Sequence, residues 1–312
     1  MFNEKTTLTG LLCNSTLAVH RNSSELSTLL LVISGLNVAL SMTATLGNAL
    51  ILVAFHRELS LNPPSKLFLR CLAFSDLSVG LVVQPVGVVS LLTAFYHRWN
   101  ICQVAELLWY FFSILMAGLT LTTSIAISVD RLLALSLGIR YRQVVTMKRA
   151  RLFVALFLLF SIGSCVTAHV NSFAFLVFSA SMWILLLMTS IYCYARIFFV
   201  LRNHIQAQVI PQGQLNGILQ LNLSRYKKTV SSALWVFAAL MICYIPFGLV
   251  LMIQTMLSEV SGRLAIGSYF AITLVYLNSS LNPLLYCWKI KEVRHSVKET
   301  LKNLGFGKLF GD

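Results

Sequence analysis

An all-α membrane protein is what this sequence predicts: seven membrane-crossing helices in one bundle, then an amphipathic eighth helix on the inner leaflet. Three observations carry that prediction. Of 312 residues, 57% are hydrophobic and only 11% charged, where a soluble domain carries about 25% charged residues. The apolar residues recur as seven long runs separated by short polar stretches, as in a polytopic membrane protein. The basic residues, moreover, lie almost entirely on one side of those runs. Mean hydropathy is +0.80. A soluble enzyme, a nucleic-acid binder and a disordered scaffold are excluded, despite a net charge of +14.

A span takes about 20 apolar residues. The runs fall near Leu29–Phe55, Lys66–Phe95, Ile101–Leu135, Ala150–Val170, Phe173–Leu201, Lys227–Leu257 and Leu264–Trp288. Only the polar nick His169-Val170-Asn171-Ser172 separates the fourth from the fifth. Merged, the two would exceed about 45 residues, too long for one tilted span, so they are split. Residues 1–28 then form an outer tail, 29–288 the membrane domain, 289–304 the eighth helix and 305–312 a short inner tail. The longest inner connection, Arg202–Tyr226, is rich in Gln and Asn and contains Pro211 and Gly213. It reads as a flexible connector. In Lys289–Leu304, Ile290, Val293, Val297, Leu301 and Leu304 share one face while Lys289, Lys291, Arg294, Lys298 and Lys302 fill the other. That pattern predicts a helix held on membrane lipids.

Charge orients the bundle. With the N-terminus outside, the outer segments hold Lys5, Arg21, Arg98 and Arg263, and the other twenty of the 24 Lys and Arg lie on the inner side. The positive-inside rule therefore predicts a multi-pass plasma-membrane protein with an extracellular N-terminus. No cleavable leader is evident, so the first span is expected to act as the signal. Sequons at Asn14 and Asn22 fall on the outer tail, where glycans are accepted. The seven cysteines do not read as a disulfide scaffold. Cys13, Cys102 and Cys165 lie on or near the oxidising outer side. One pair among them fits, and the sequence does not say which.

Ionisable groups inside spans are expensive and therefore mark function. Three acids qualify: Asp76 in the second span, and Glu106 and Asp130 at opposite ends of the third. Asp130 and Arg131 can pair locally, leaving the arginine to snorkel into the inner mouth. Asp76 has no basic residue at its depth and needs polar neighbours, water or a cation. Asn48, Thr120, Asn278, Ser279 and Asn282 supply oxygens, and such a set can hold Na⁺, the one metal the sequence calls for. No other cofactor is expected. Pro246 and Pro283 sit inside the sixth and seventh spans and predict two kinks next to this polar cluster, the construction of a conformational switch.

These residues resemble the rhodopsin-like (class A) G-protein-coupled receptors across about residues 29–304. The carriers are Gly47-Asn48, Leu72-Ala73-Phe74-Ser75-Asp76, Asp130-Arg131-Leu132, Cys243-Tyr244-Ile245-Pro246 and Asn282-Pro283-Leu284-Leu285-Tyr286, in order and at matching depth. The resemblance implies a ligand pocket open to the outside and a heterotrimeric G protein as inner partner. Arg131 would engage it, with Tyr194 and Tyr286 swinging toward the arginine. Asn48, Asp76, Thr120, Asn278 and Asn282 would form a sodium pocket. Glu106, Trp109, Ser113, Ala117, Tyr244, Phe247, Leu251 and Tyr276 would line the ligand pocket. Outward movement of the sixth span would open an inner cleft bordered by Lys227 and Lys228.

Departures narrow the expectation. Leu132 replaces a tyrosine and Tyr244 a tryptophan toggle. Tyr226 stands where an acid often pairs with the arginine, so that lock is expected to be missing and ligand-free activity raised. The fifth span lacks its usual proline and the fourth its usual tryptophan. Cys102 lies a turn further out than the family's cysteine, at whose place stands Glu106. No cysteine lies between spans four and five, so the familiar loop bridge to span three is not expected. The very short second outer loop resembles the melanocortin, lysophospholipid, cannabinoid and adenosine branch, and Tyr286–Arg294 is similar to adenosine receptors, although Leu251 stands where those use an asparagine. The seventh span has no lysine for a retinal Schiff base, and Ser113 stands where amine receptors carry an aspartate. A small apolar or nucleoside-like ligand is the expectation; an amine using Glu106, or a peptide, is the alternative. A transporter would need paired broken helices and a polar path, and an intramembrane enzyme a His-containing set at depth. Neither pattern is present in the sequence, and no catalytic residue is assigned.

Overall fold

The computed structural model describes residues 24–56, 62–170, 172–207, 235, 238–254, 256–257, 262–289 and 291–302. The spans are α1 (Ser24–Ala54), α2 (Pro63–Phe95), α3 (Trp99–Leu137), α4 (Met147–Val170), α5 (Ser172–Ala207), α6 (described over Ala238–Gln254) and α7 (Gly262–Lys289). The surface helix α8 is Lys291–Leu301. Six of the spans are long and apolar enough to cross a membrane, with Ala238–Gln254 a shorter apolar helix beside them. Phe160 of α4 and Phe178 of α5 stack with ring centroids 4.7 Å apart, which one continuous helix cannot achieve at about 1.5 Å rise per residue, so the split holds. The sequons at Asn14 and Asn22, residues 208–226 of the long inner connection, the first residues 227–234 of the sixth span and the 305–312 tail lie outside the described residues.

Large apolar side chains point outward, including Leu46, Leu159, Ile242 and Leu284. Asn37, Asn48, Asp76, Asn278 and Asn282 are buried instead. Without a hydrophobic force between helices in lipid, packing and interhelical hydrogen bonds hold the bundle. The α1–α7 seam shows this: Asn37 Nδ2 donates to Thr273 Oγ1, Thr43 Oγ1 to Ser280 Oγ, and Asn48 Nδ2 to the Ser279 carbonyl, at 2.9–3.0 Å. Central α3 packs against α2, α4 and α5, and α6 meets α3, α5 and α7 through Leu240, Met241, Cys243 and Tyr244.

Span two carries a kink that the sequence reading did not anticipate. One π-helical turn, Val79–Val83, precedes Pro85. Proline has no N–H and its ring clashes with the carbonyl four residues back, so the preceding turn widens. Gly80 lies in that turn, and a Cβ on it would sit 2.6 Å from Thr45 Oγ1 and 2.8 Å from the Thr45 nitrogen. Ser41 Oγ donates to the Gly80 carbonyl at 2.7 Å. Gly80→Ala is therefore expected to destabilise the protein by roughly 1–3 kcal/mol, because backbone must move. Gly35→Ala, where nothing lies within 4 Å, is the neutral comparison. Thermal unfolding in detergent reads both.

Helix α8 corrects an expectation. Val293 is fully buried, Ser296 and Thr300 nearly so, and Val293 and Val297 pack with Phe55, Phe68 and Tyr286. The helix packs on α1 and α7, with Arg294, His295, Lys298 and Glu299 exposed. The bundle's own inner end supplies the apolar surface that the sequence reading assigned to lipid alone.

Candidate functional site

The predicted residues fall into three layers. At the inner end Asp130 and Arg131 form a buried pair, Nη2 to Oδ2 at 2.9 Å, with side chains 1% and 10% exposed. Arg131 does not extend into the mouth, as its sequence position suggested. The reason is the network around its partner. Ser65 Oγ donates to Asp130 Oδ2 at 2.6 Å, and the Tyr141 hydroxyl donates to Oδ1 at 2.5 Å. Ser65 lies in the first turn of α2, which opens with Pro63-Pro64. Tyr141 returns beneath α3 because Gly138 takes φ +50°, a left-handed backbone that costs a side-chain-bearing residue energy. Burial and the Asp130 carboxylate push the Tyr141 phenol above its ordinary pKa, so it remains a donor at physiological pH. Neither Ser65 nor Tyr141 was singled out from sequence; hydroxyls are too common to stand out, and their pairing crosses two elements.

Tyr194 is hydrogen-bonded to Ser128 and packs with Phe68, Ile127 and Tyr286. Tyr286 is buried, and its hydroxyl has no hydrogen-bond partner among the described residues. Tyr226, Lys227 and Lys228 lie outside the described residues.

The middle layer surrounds Asp76, which is fully buried. Asn282 Nδ2 donates to Asp76 Oδ2 at 2.7 Å and Ser279 also bonds the carboxylate, while Oδ1 has no hydrogen bond within the described residues. The Oδ1 atoms of Asn48, Asn278 and Asn282 are likewise buried and unpartnered among the described residues. Thr120 meets Ser75, not the carboxylate, with hydroxyls 3.2 Å apart. Tyr244 is hydrogen-bonded to Thr120 and lies against Trp183, ring centroids 5.3 Å apart. The aromatic at the toggle position thus touches the polar layer through its hydroxyl. Pro246 is half-buried on α6, and Pro283 is buried within α7.

The outer layer divides in two. Trp109 Nε1 donates to the Tyr276 hydroxyl at 2.6 Å, and Ser113 Oγ lies 3.0 Å from the same oxygen. Trp109 stacks on Tyr269, centroids 6.1 Å apart, and fits against α2 because residue 87 is glycine: a Cβ there would lie 2.7 Å from Nε1. Both Trp109 and Tyr276 are core side chains in this conformation, joining α1, α2, α3 and α7. Ala117 belongs to the second group, around Tyr244. Phe247 and Leu251 are half-buried on α6. Glu106 is 1% exposed at the outer end of α3.

This architecture coincides with a known family. The model of the 7 transmembrane receptor (rhodopsin family) matches residues 47–173 and 164–286. The chain belongs to that family. As a rhodopsin-family receptor it is a ligand-activated, G-protein-coupled signalling protein of the membrane and not an enzyme. Among relatives, adenosine receptor A3 of Bos taurus is 27% identical over 306 residues, covering 90% of this chain and 93% of the relative. The Ovis aries protein of the same name is 26% identical with the same coverage. The probable G-protein coupled receptor 45 of Homo sapiens is 25% identical over 339 residues, 94% and 88% of the two chains. The crystal structure of squid rhodopsin superposes with a TM-score of 0.72 at 16% identity, over 89% of the receptor and 87% of that chain, and confirms the fold.

Proposed function

We propose that this receptor takes a small, largely apolar or nucleoside-like ligand from the extracellular side and answers by releasing Arg131 toward a G protein. The observation that carries the ligand class is the Tyr276 hydroxyl, already engaged by Trp109 and Ser113. With its polar groups satisfied internally, the set Ser113, Ala117, Tyr244, Phe247, Leu251 and Tyr276 offers a ligand aromatic and aliphatic surface and little charge. Adenosine receptors among the relatives favour a nucleoside-like molecule, although Leu251 offers no amide. The N-terminus is outside, and the basic face of α8 meets anionic lipid.

The cytoplasmic step is electrostatic. Asp130, Ser65 and Tyr141 hold the guanidinium side in this conformation, and a ligand that favours the alternative bundle shifts the population by its differential affinity. The middle layer suits Na⁺: a buried carboxylate bonded to Asn282 keeps one oxygen with no hydrogen bond among the described residues, as do the buried amide oxygens of Asn48, Asn278 and Asn282, and hard oxygen donors suit such a cation. Asp76, Asn48, Asn278 and Asn282 would hold it, with Thr120 adjoining.

The test is second-messenger output, cAMP and Ca²⁺, in cells expressing wild type and Arg131→Ala at matched surface levels. Adenosine, lipids, peptides and amines are supplied in turn. A nucleoside or apolar compound is expected to raise the wild-type signal, and Arg131→Ala to abolish it. A response to amines or basic peptides alone would overturn the ligand class.

A further inference from the structure

Between Asp130 and Glu259 the chain contains no acidic residue, and one stretch of that interval concentrates the cations. Arg140, Arg142, Lys148, Arg149 and Arg151 are all exposed around the start of α4. The basic residues of α8, by contrast, are interleaved with Glu292 and Glu299. The patch is held in shape by its own backbone. Gly138 turns the chain back with φ +50°, the one-turn helix Tyr141–Val144 follows, and the Tyr141 hydroxyl is anchored on Asp130. Arg149 Nη1 then donates to the Val144 carbonyl at 2.7 Å, which ties the start of α4 to that turn. Arg140 and Arg142 flank the buried Tyr141 and are presented from a fixed frame.

Helical spacing says what meets the patch. Lys148, Leu152, Leu156 and Leu159 follow one another at intervals of four, four and three and so share one face of α4. All four are exposed, and Arg149 and Phe153 run exposed beside them. Ala150, on the opposite face, is buried against Ile127 and Tyr286. The outward face therefore changes from cationic to apolar within one turn, the same division as between the head and the tails of a phospholipid. We propose that this patch binds a phospholipid with a multiply phosphorylated inositol headgroup, its acyl chains lying along Leu152, Leu156 and Leu159. Five cations exceed what a singly charged headgroup can engage, and the planar guanidinium of arginine matches phosphate oxygens two at a time. The inference rests on this end of α4 facing the inner leaflet and not on the class of the extracellular ligand.

The experiment is thermal unfolding of the full-length receptor in phosphatidylcholine nanodiscs, with and without a small fraction of phosphatidylinositol bisphosphate. The bisphosphate lipid is expected to raise the melting midpoint by several degrees. Phosphatidylserine at matched total charge should give much less, and soluble inositol trisphosphate, a headgroup without tails, none. Arg142→Gln, Lys148→Gln and Arg151→Gln together remove three exposed charges and are expected to weaken lipid binding about a hundredfold. Arg294→Gln with Lys298→Gln, on α8, should keep most of the response. Lipid retained on the receptor in native mass spectrometry is the second readout, and it holds even where a variant shifts the baseline midpoint. Equal lipid binding by wild type and the triple variant would overturn the proposal. So would an equal response to phosphatidylserine, or one to inositol trisphosphate, which would assign the patch to a soluble phosphate. Because no agonist or G protein enters these readouts, failure here leaves the proposed function untouched.

Discussion

Asp130→Asn is expected to raise ligand-free signalling about tenfold or more over wild type at equal surface density. In the described conformation the Asp130 carboxylate accepts from Arg131, Ser65 and Tyr141, and both members of the ion pair are buried. Hydrogen bonds to charged groups contribute about 1.5–3 kcal/mol each. Asparagine keeps one acceptor oxygen for Tyr141 or Ser65 but no charge for Arg131. Losing one such bond, about 1.4 kcal/mol or more, multiplies the minor active population roughly tenfold when that population starts near a few per cent or below. Tyr141→Phe and Ser65→Ala remove one neutral donor each and are expected to give a smaller rise of a few-fold. Basal cAMP or Ca²⁺ output measures all three. An Asp130→Asn receptor as quiet as wild type, yet responsive to agonist, would mean that the pair does not hold the inactive state. Adding Arg131→Ala to Asp130→Asn should return the signal to background, which separates release of the arginine from nonspecific loosening of the bundle.

Much of this was legible in the sequence, and for identifiable reasons. A run of about 20 apolar residues has no soluble fate, so the spans were placed to within a few residues at most described ends. An acid at membrane depth is costly, so Asp76, Asp130 and Glu106 stood out without any structure. The features that escaped depend on pairing across elements. Ser65 and Tyr141 are ordinary hydroxyl residues until the Gly138 turn and the start of α2 bring them to one carboxylate. The widened turn before Pro85 was signalled by a proline in mid-span, a signal read in α6 and α7 but not in α2. Trp109 and Tyr276 were placed in the pocket lining by the family resemblance. Periodicity gives the face but not the neighbour, and here each is the other's neighbour. The inner face of α8 was misjudged in the same way: Val293 and Val297 were correctly grouped, but their partners, Phe55 and Phe68, lie more than 200 positions away in sequence.

Asp76→Asn is expected to erase a dependence of receptor stability on Na⁺. Asp76 is fully buried, one of its oxygens is bonded to Asn282, and the other has no hydrogen bond among the described residues. A buried carboxylate left without full compensation is destabilising by several kcal/mol, and a cation accepted by Asp76 Oδ1 with Asn48, Asn278 and Asn282 oxygens removes that deficit. Binding to the folded state alone stabilises by RT ln(1 + [L]/Kd). A site with a Kd near 10 mM therefore gains about 1.4 kcal/mol in 100 mM NaCl, a rise of roughly 2–4 °C in the melting midpoint. Choline chloride at the same ionic strength should give none of it. In Asp76→Asn the charge is gone, so two changes are expected together: a higher midpoint without Na⁺, because no ionised group is stranded, and a flat response to added NaCl. Asn282→Ala removes the amide donor to Oδ2 and should lower the sodium-free midpoint while keeping some response. These opposite baselines distinguish an ion site from a polar core that merely holds helices together. Equal NaCl responses in wild type and Asp76→Asn would show that the unpartnered oxygens are met by water, and the cation would be removed from the account of this layer.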